Sequence, residues 1–298
     1  MRTNAIVRIV IFAIVVVLLL GILGIGIAAR YYALDLSAWY NNSNSGDYSP
    51  AELGTPVSVN GLIREISIDW VAGSIIIQPS AEAKNISFSE TNVSDSSNQM
   101  IYKQSGDSLT IQFCKDSVRF LGFSSNISKD LVITVPSDWI CQELEIDTAS
   151  ANVEVRNLTI ESFDFDGASG VCTFTDCTVR EMDMDTASGD IRFTGCLDKL
   201  QIDSMSANCR IAVINTPREI SISTMSGDLD LALPEDCGFT LSIDSVSSDF
   251  SSEFDTVLSR GNHVRGDGSC RIDIEAMSGN VTIRKANPVP ASTEQNTF

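Results

Sequence analysis

Apolar and polar residues alternate with a period of two along much of the chain. The segments FDFD at residues 163–166 and MDMD at residues 182–185 place every second side chain on one face, as in a β-strand with one buried face. The alternation pauses at a short step of small residues and then resumes, for example in DIRF at residues 190–193. Each unit is therefore predicted to be strand, bend and strand. Because no apolar stripe at helical spacing occurs after residue 40, the pattern predicts an all-β fold.

This strand, bend and strand unit recurs at a nearly constant interval. Its copies include LEIDTASANVEV from Leu144, MDMDTASGDIRF from Met182 and ISISTMSGDLDL from Ile220. The central serines are spaced 19, 19, 18, 20 and 21 residues apart and are Ser150, Ser169, Ser188, Ser206, Ser226 and Ser247. A period near twenty residues indicates a solenoid, because the hairpins of a sandwich or barrel would not repeat side chains in phase. We therefore predict a β-solenoid (a β-helix-like fold) with coils of roughly 19 residues.

The phase within each repeat predicts where side chains point. The residues directly before the serines are expected to form an inward stack, namely Ala149, Ala168, Ala187, Met205, Met225, Val246 and Met277. Small residues directly after the serines, such as Gly170 and Gly189, suit a tight corner. Four phenylalanines are expected in the core, namely Phe163, Phe165, Phe174 and Phe193. Trp70 and Trp139 are left as candidates for a sugar-stacking surface, and packing in the core is the favoured alternative.

The two ends of the chain differ from the repeat region. Residues 9–29 are uncharged and apolar, with Arg2 and Arg8 before them, which predicts a single transmembrane helix with its N-terminus in the cytoplasm and the rest of the chain outside it. A cleaved signal peptide is the alternative, although this run exceeds the usual signal core. Composition divides the chain into an anchor at 1–30, a linker at 31–56, the repeat domain at 57–285 and a disordered tail at 286–298.

The charge of the chain restricts its partners. A formal charge of −19 with only 20 Lys and Arg residues argues against nucleic acid, which requires concentrated positive charge. A cationic peptide or protein, or a metal ion, suits the charge better. An envelope glycan is a further candidate partner, and the flat strand edges of a solenoid also permit self-association.

One column of acidic residues lies three positions before the serines. Stacking these carboxylates in adjacent coils costs about 1 kcal/mol per pair in water, and a calcium ion would relieve it. The residues of this column are Asp147, Asp166, Asp185 and Asp203, with Asp69, Asp244 and Glu275 in the looser copies. Solvated turn capping is the competing interpretation, and the glycine-rich nonapeptide of calcium-binding β-rolls is missing.

The eight cysteines form no CxxC pair, and one histidine cannot complete a repeated zinc pattern. Cys177 and Cys196 share a phase in adjacent coils, so they are candidates for a disulfide in an exported domain. Cys172 and Cys209 share another phase but lie two coils apart, which is too far. The alternative is that these thiols are buried as small apolar residues.

The longest interval between central serines contains an insertion at residues 250–268. It is predicted to be a projecting loop and is the first candidate for specific binding; a cap over the end of the coils is the alternative. Its candidate residues are Phe250, Phe254, Arg260, His263 and Arg265. No motif places a nucleophile near His263, so no catalytic residues, cofactor or enzyme activity are predicted.

The repeated phrase, the strand LVITVP at residues 131–136 and the preceding apolar segment resemble the bacterial DUF4097 family, also called the putative adhesin domain. The resemblance covers residues 57–285 and implies a β-strand repeat domain of the bacterial envelope, with no catalytic residues to transfer. Eight cysteines and the frequent Ala or Ser at the family's glycine position depart from it. We expect a non-catalytic, adhesin-like or envelope-sensing module. A polysaccharide-active enzyme with paired carboxylates and a calcium-stabilised stalk are the alternatives.

Overall fold

The computed structural model describes residues 48–52, 54–93, 98–115, 128–247 and 249–286. Within these ranges the chain is all-β and contains no α-helix, which confirms the predicted class. The strands in chain order are β1 (Ser49–Pro50), β2 (Val57–Ser58), β3 (Glu65–Ser80), β4 (Ser87–Thr91), β5 (Ile101–Ser105), β6 (Ser108–Gln112), β7 (Lys129–Pro136), β8 (Ile140–Arg156), β9 (Thr159–Gly167), β10 (Val171–Val213), β11 (Glu219–Ser226), β12 (Leu229–Leu233), β13 (Phe239–Ser247), β14 (Phe250–Ser252), β15 (Val257–Ser259), β16 (Asn262–Arg265), β17 (Cys270–Ser278) and β18 (Val281–Lys285).

The proposed anchor and most of the proposed tail are not among these residues. Residues 9–29 and 287–298 lie outside the described ranges. The described part of the chain has no helix that is both long and apolar enough to cross a bilayer. The end of the predicted linker does belong to the fold, because β1 pairs with β5 and Ala51 is buried.

Successive coils stack as parallel strands in the register that the repeat predicts. β8 pairs with β9 and β9 with β10, so that Asp147 lies opposite Asp166 and Asp166 opposite Asp185. β10 is long enough to continue through further coils and then pairs with β11 and β12. Equivalent residues of neighbouring repeats therefore lie side by side, as in a β-solenoid.

The coils at both ends of the stack are out of chain order. β3 lies between β8 on one side and β6 with β7 on the other, although β6 and β7 follow it in sequence. At the opposite end, β17 and β18 lie between β11 with β12 and β13 with β14. The terminal coil at this second end is therefore β13 with β14, and the last coil in sequence lies one position inside it.

The core is filled by the alternate residues of each strand. Ile146, Met184 and Ile202 are wholly buried at equivalent positions of three coils. The four phenylalanines expected in the core are buried as predicted, with Phe163 and Phe174 in edge-to-face contact at 4.7 Å. The proposed sugar-stacking role of the tryptophans is wrong. Trp70 and Trp139 are 0% and 9% exposed, and their indole N–H groups donate to buried backbone carbonyls.

The corner at Gly189 requires glycine for two reasons. Gly189 has a φ of +131°, which side chains rarely adopt. A Cβ atom at this position would also lie 1.9 Å from the carbonyl oxygen of Gly170 in the neighbouring coil. The predicted small-residue corner is thus a close backbone approach between stacked coils.

The two ends of the stack are covered to different extents. Antiparallel strands cover the first end, where β5 pairs with β6 and β4 pairs with β7. At the second end, β16 covers only part of β13, because it pairs with residues 239–241 and with no later residue of that strand. Ile243, further along β13, is consequently half-buried, whereas Ile274 beside it in β17 is 1% exposed.

Candidate functional site

The structure places the predicted acidic residues in one continuous column. Strand pairing sets Asp69 beside Asp147 and then Asp147, Asp166 and Asp185 side by side. Toward the second end the column continues through Asp203, Ser223, Glu275 and Asp244, the last two in the exchanged order of the end coils. Since neighbouring strands lie about 4.8 Å apart, the carboxylates form a row across the sheet.

A second acidic column lies two residues earlier on the same face. Pairing places Glu145 beside Asp164, and Asp164 beside Asp183. Partial burial raises the pKa of Asp164 and Asp183, with a further contribution from the neighbouring carboxylates of Asp166 and Asp203. This face therefore holds two adjacent rows of like charge.

The same causes act more strongly on two members of the first column. Burial, followed by repulsion from Glu145 and Asp166, raises the pKa of Asp147 to about 6. Burial, followed by repulsion from Asp203, raises the pKa of Asp185 to about 6. A positive charge near either residue would relieve the repulsion among the carboxylates.

The carboxylates extend along a row and do not converge on a point. Within the described ranges, no group of three or more His, Cys, Asp or Glu side chains has an arrangement that could hold a metal ion. Among the described residues the acidic column is therefore a charged surface.

The residues directly before the central serines face outward, so their predicted inward stack is wrong. The two-residue alternation holds as far as the residue before the serine, and this position therefore shares its face with the Asp three positions before the serine. None of the seven is buried: Ala149 and Met225 are half-buried, Ala168 and Ala187 are exposed, and Met205, Met277 and Val246 are 37%, 49% and 68% exposed. The prediction failed because it placed the residue before the serine inside and the Asp two residues earlier outside, although side chains two residues apart on a strand share a face.

These outward residues make an apolar column beside the acidic one. The register places Met205 beside Met225, Met225 beside Met277, and Met277 beside Val246. Each lies two residues after the acidic position of its own strand, about 7 Å away along an extended chain. We call this surface, with its adjacent acidic and apolar columns, the striped face.

The insertion at residues 250–268 is a short hairpin that packs partly on the core. Phe254 is 4% exposed and contacts the ring of Phe239 at 5.4 Å. Arg265 lies over Phe254 at 4.6 Å and donates from Nε to the carbonyl oxygen of Cys237 at 3.2 Å. These two candidate binding residues therefore close the second end of the stack.

The other residues of the insertion are more accessible. The ring of Phe250 lies 5.0 Å from that of His263, and both are half-buried. His263 Nδ1 lies 3.2 Å from the hydroxyl of Thr256. Arg260 is exposed at the turn between β15 and β16, with a φ of +51°. The structure thus gathers Phe250 and His263, while Arg260 stands apart.

Val257 and Leu258 on this hairpin were not identified from the sequence. They are 71% and 69% exposed and form β15, whose one described pairing is with β16. The available signal was two adjacent aliphatic residues between the polar residues on either side, Thr256 and Ser259.

The eight cysteines all lie in described ranges, and none forms a disulfide in the structure. Cys177 is buried, and its Sγ lies 3.5 Å from the carbonyl oxygen of Val155, whereas Cys196 is half-buried. The two candidate partners thus lie in different environments, and the structure does not join them. Cys172 and Cys209 lie in one column, as expected, and both are buried.

The repeat region of the chain matches a known protein family. The family model described as Toastrack DUF4097 matches residues 63–284, which is well over half of the chain. The chain belongs to the Toastrack (DUF4097) family. This confirms the resemblance inferred from the repeated phrase. The search of curated proteins found no match.

Several solved structures match this Toastrack chain at low sequence identity and low TM-score. A putative cell adhesion protein from Clostridium sporogenes is 10% identical, with 80% of this chain and 98% of that one covered and a TM-score of 0.34. A putative adhesin from Bacteroides fragilis is 13% identical, with coverage of 79% and 98% and a TM-score of 0.40. A putative lipid binding protein from Parabacteroides distasonis is 12% identical, with coverage of 81% and 98% and a TM-score of 0.42.

Proposed function

We propose that this Toastrack chain is a membrane-anchored, exported interaction module that binds a cationic, amphipathic protein segment along its striped face. The observation that carries the proposal is the outward apolar column directly beside the acidic column, in which Met205, Met277 and Val246 are exposed and Met225 is half-buried. An exposed apolar row beside a row of carboxylates is complementary to a segment that carries Lys or Arg beside aliphatic residues.

The acidic column supplies the attraction at long range. The net charge of −19 accelerates the approach of a cationic partner and repels polyanions. Each exposed ion pair contributes at most about 1 kcal/mol. The partner's charge also relieves the repulsion that raises the pKa of Asp147 and Asp185, so binding is coupled to their ionisation.

The apolar column supplies the affinity at contact. Met277 and Val246 have about half or more of their surface exposed, and removing such surface from water is favourable by about 25 cal/mol per Å². Methionine side chains also adapt to partners of different shape. The proposal includes no reaction, because the carboxylates follow the repeat and do not form one distinct pair.

Anchoring and export are supported by the apolar residues 9–29 and by the family. Reaction of single-cysteine variants with a membrane-impermeant maleimide in intact cells tests this part. We expect labelling of an exposed cysteine introduced at Ser259, and none at residue 3. The reverse pattern would contradict export of the repeat domain.

The binding proposal is tested with a defined probe. Full-length protein in detergent micelles is titrated into a fluorescent ten-residue peptide of alternating Lys and Leu, and anisotropy is recorded. We expect Met277→Gln with Val246→Gln to weaken binding about fivefold, or roughly 1 kcal/mol, and Asp147→Asn with Asp185→Asn to lower its salt dependence.

Matched variants and peptides make the result interpretable. Ile214 is 57% exposed but lies away from the two columns, so Ile214→Gln should leave affinity unchanged. A peptide of alternating Lys and Ser should bind more weakly than the Lys and Leu peptide. Equal binding of these two peptides, or an unchanged affinity in the Met277 and Val246 variant, would contradict a role for the apolar column.

A further inference from the structure

Two buried cysteines meet where the terminal coil joins its neighbour. Cys237 precedes β13, Cys270 begins β17, and both are 0% exposed. Their thiol groups lie close enough to perturb each other's pKa. The backbone brings them together, because Phe239 pairs with Cys270 and the Cys270 N–H donates to the carbonyl oxygen of Gly238 at 2.9 Å.

The local turn explains why two residues offset in register come into contact. The Cys237 N–H donates to the carbonyl oxygen of Pro234 at 3.0 Å, which closes a turn directly before β13. Arg265 fixes this turn from the other side through its bond to the carbonyl oxygen of Cys237. Both thiols are therefore buried in the core beside the start of β13.

We propose that Cys237 and Cys270 form a disulfide in the exported protein, fastening the terminal coil to the coil beside it. The inference goes beyond the binding role and takes from the proposed function the export of the domain. Cys237 lies two residues before Phe239, which pairs with Cys270, and the turn before β13 brings the Cys237 side chain to that of Cys270. The bond would close the segment that contains the whole β15 and β16 hairpin.

The reaction is thiol–disulfide exchange with a disulfide oxidant of the export compartment, or oxidised glutathione in vitro. The Cys237 thiol loses its proton and attacks the oxidant, forming a mixed disulfide and releasing one glutathione thiolate, which takes up a proton. The Cys270 thiolate then attacks the Cys237 sulfur and releases the second glutathione. Two protein thiols are oxidised and one glutathione disulfide is reduced by two electrons.

The order of attack follows from the environment of each sulfur. The hydrogen bond from Cys270 holds the pKa of Cys237 below its usual range, with Thr216 and the positive charge of Arg265 contributing. The same contact, together with burial, raises the pKa of Cys270. Because the thiolate is the nucleophile, Cys237 is assigned as the thiol that attacks the oxidant and Cys270 as the thiol that resolves the mixed disulfide.

The other cysteines serve as internal controls. Cys172 and Cys209 are both buried, and the coil that carries Ile191 separates them. Burial raises the pKa of Cys172 above its usual range and that of Cys209 to about 12. These thiols should remain reduced under conditions that oxidise the proposed pair.

The test uses full-length protein, refolded in detergent micelles with reduced and oxidised glutathione, then denatured, alkylated and digested with trypsin. Trypsin separates residues 219–260, which contain Cys237, from residues 266–271, which contain Cys270. We expect these two peptides to be joined and about 2 Da lighter than the two free thiols, with Cys172 and Cys209 alkylated. Alkylation of both Cys237 and Cys270 would overturn the proposal.

A second measurement starts from the wild type, so that its main result does not require any variant to fold. The melting temperature of the refolded wild type should fall by roughly 10 °C when a reductant is added, because the bond closes a loop of the unfolded chain. Cys172→Ser should retain that response, and Cys237→Ser should lose it. Protein isolated from cells with both thiols free, but cross-linked after refolding, would contradict export and not the pairing. An unchanged melting temperature on reduction would contradict the proposed fastening.

Discussion

Lys129 Nζ lies 2.6 Å from Glu90 Oε2, and the two side chains are 0% and 3% exposed. The ammonium also donates to the carbonyl oxygens of Asn98 and Phe113 and lies 4.8 Å from the ring of Trp70. Burial lowers the pKa of Lys129, while Glu90 acts against that shift. One buried cation therefore joins four separate segments at the first end of the stack.

Removing this cation should destabilise the fold strongly. Lys129→Met leaves the Glu90 carboxylate buried without its partner and two carbonyls without their donor. Breaking a buried pair in this way costs about 3–5 kcal/mol, measurable by urea unfolding. Lys84→Met, at an exposed lysine, should change stability by less than about 0.5 kcal/mol. Equal effects of the two substitutions would contradict the role assigned to Lys129.

The acidic columns should make stability depend on pH in an unusual direction. Because the pKa of Asp147 and Asp185 is raised to about 6 in the fold, the folded state binds protons more tightly than the unfolded state between about pH 4 and 6. Their repulsion is therefore present at pH 7 and lost as the pH falls through 6. Asp147→Asn with Asp185→Asn should raise the melting temperature at pH 7 but not at pH 4.

The control for this experiment is an aspartate outside the columns. Asp198 lies 3.5 Å from Arg218 as an exposed ion pair, so Asp198→Asn should have no stabilising effect at either pH. A double variant that is less stable than the wild type at pH 7 would show that the carboxylates support the fold.

The sequence predicted the period, the face of each acidic residue and the buried phenylalanines, because all three follow from phase. It did not predict the order of the end coils. The position of each residue within its repeat is the same whether β17 lies inside or outside β13, so the repeat cannot distinguish the two orders. It misassigned Met277 because an apolar residue was assumed to be buried although its parity matched Glu275. Glu90 and Lys129 were missed since no local pattern connects them. Cys237 and Cys270 meet through a turn outside the repeat, which phase cannot locate.

The corner glycines should tolerate no side chain. Gly189→Ala would place a methyl group 1.9 Å from the Gly170 carbonyl oxygen at a φ of +131°. We expect a loss of at least about 3 kcal/mol from backbone strain and displacement of the neighbouring coil. Gly106 has a φ of +64° but no atom within 4 Å of the added methyl, so Gly106→Ala should cost only about 1 kcal/mol. Urea unfolding of both variants separates the cost of a side chain at positive φ, which both carry, from the cost of the close contact, which only Gly189→Ala carries.

Divalent cations should act on the acidic columns by charge alone. The carboxylates form rows, and within the described ranges none converge as a metal site. Calcium and magnesium at equal concentration should therefore raise the melting temperature equally, within about 1 °C, because a coordinating site would distinguish the two ions. A larger shift with calcium, abolished by Asp166→Asn, would favour a calcium-stabilised stalk.

The insertion hairpin should separate into a structural half and an exposed half. Phe254 is 4% exposed between Phe239 and Arg265, so Phe254→Ala should cost about 3–5 kcal/mol through the cavity it leaves. Leu258 is 69% exposed, so Leu258→Ser should change stability by less than about 0.5 kcal/mol. Thermal unfolding of both variants measures the difference. If Phe254→Ala left stability unchanged, the hairpin would not close the end of the core, and its aromatic residues would be available for binding after all.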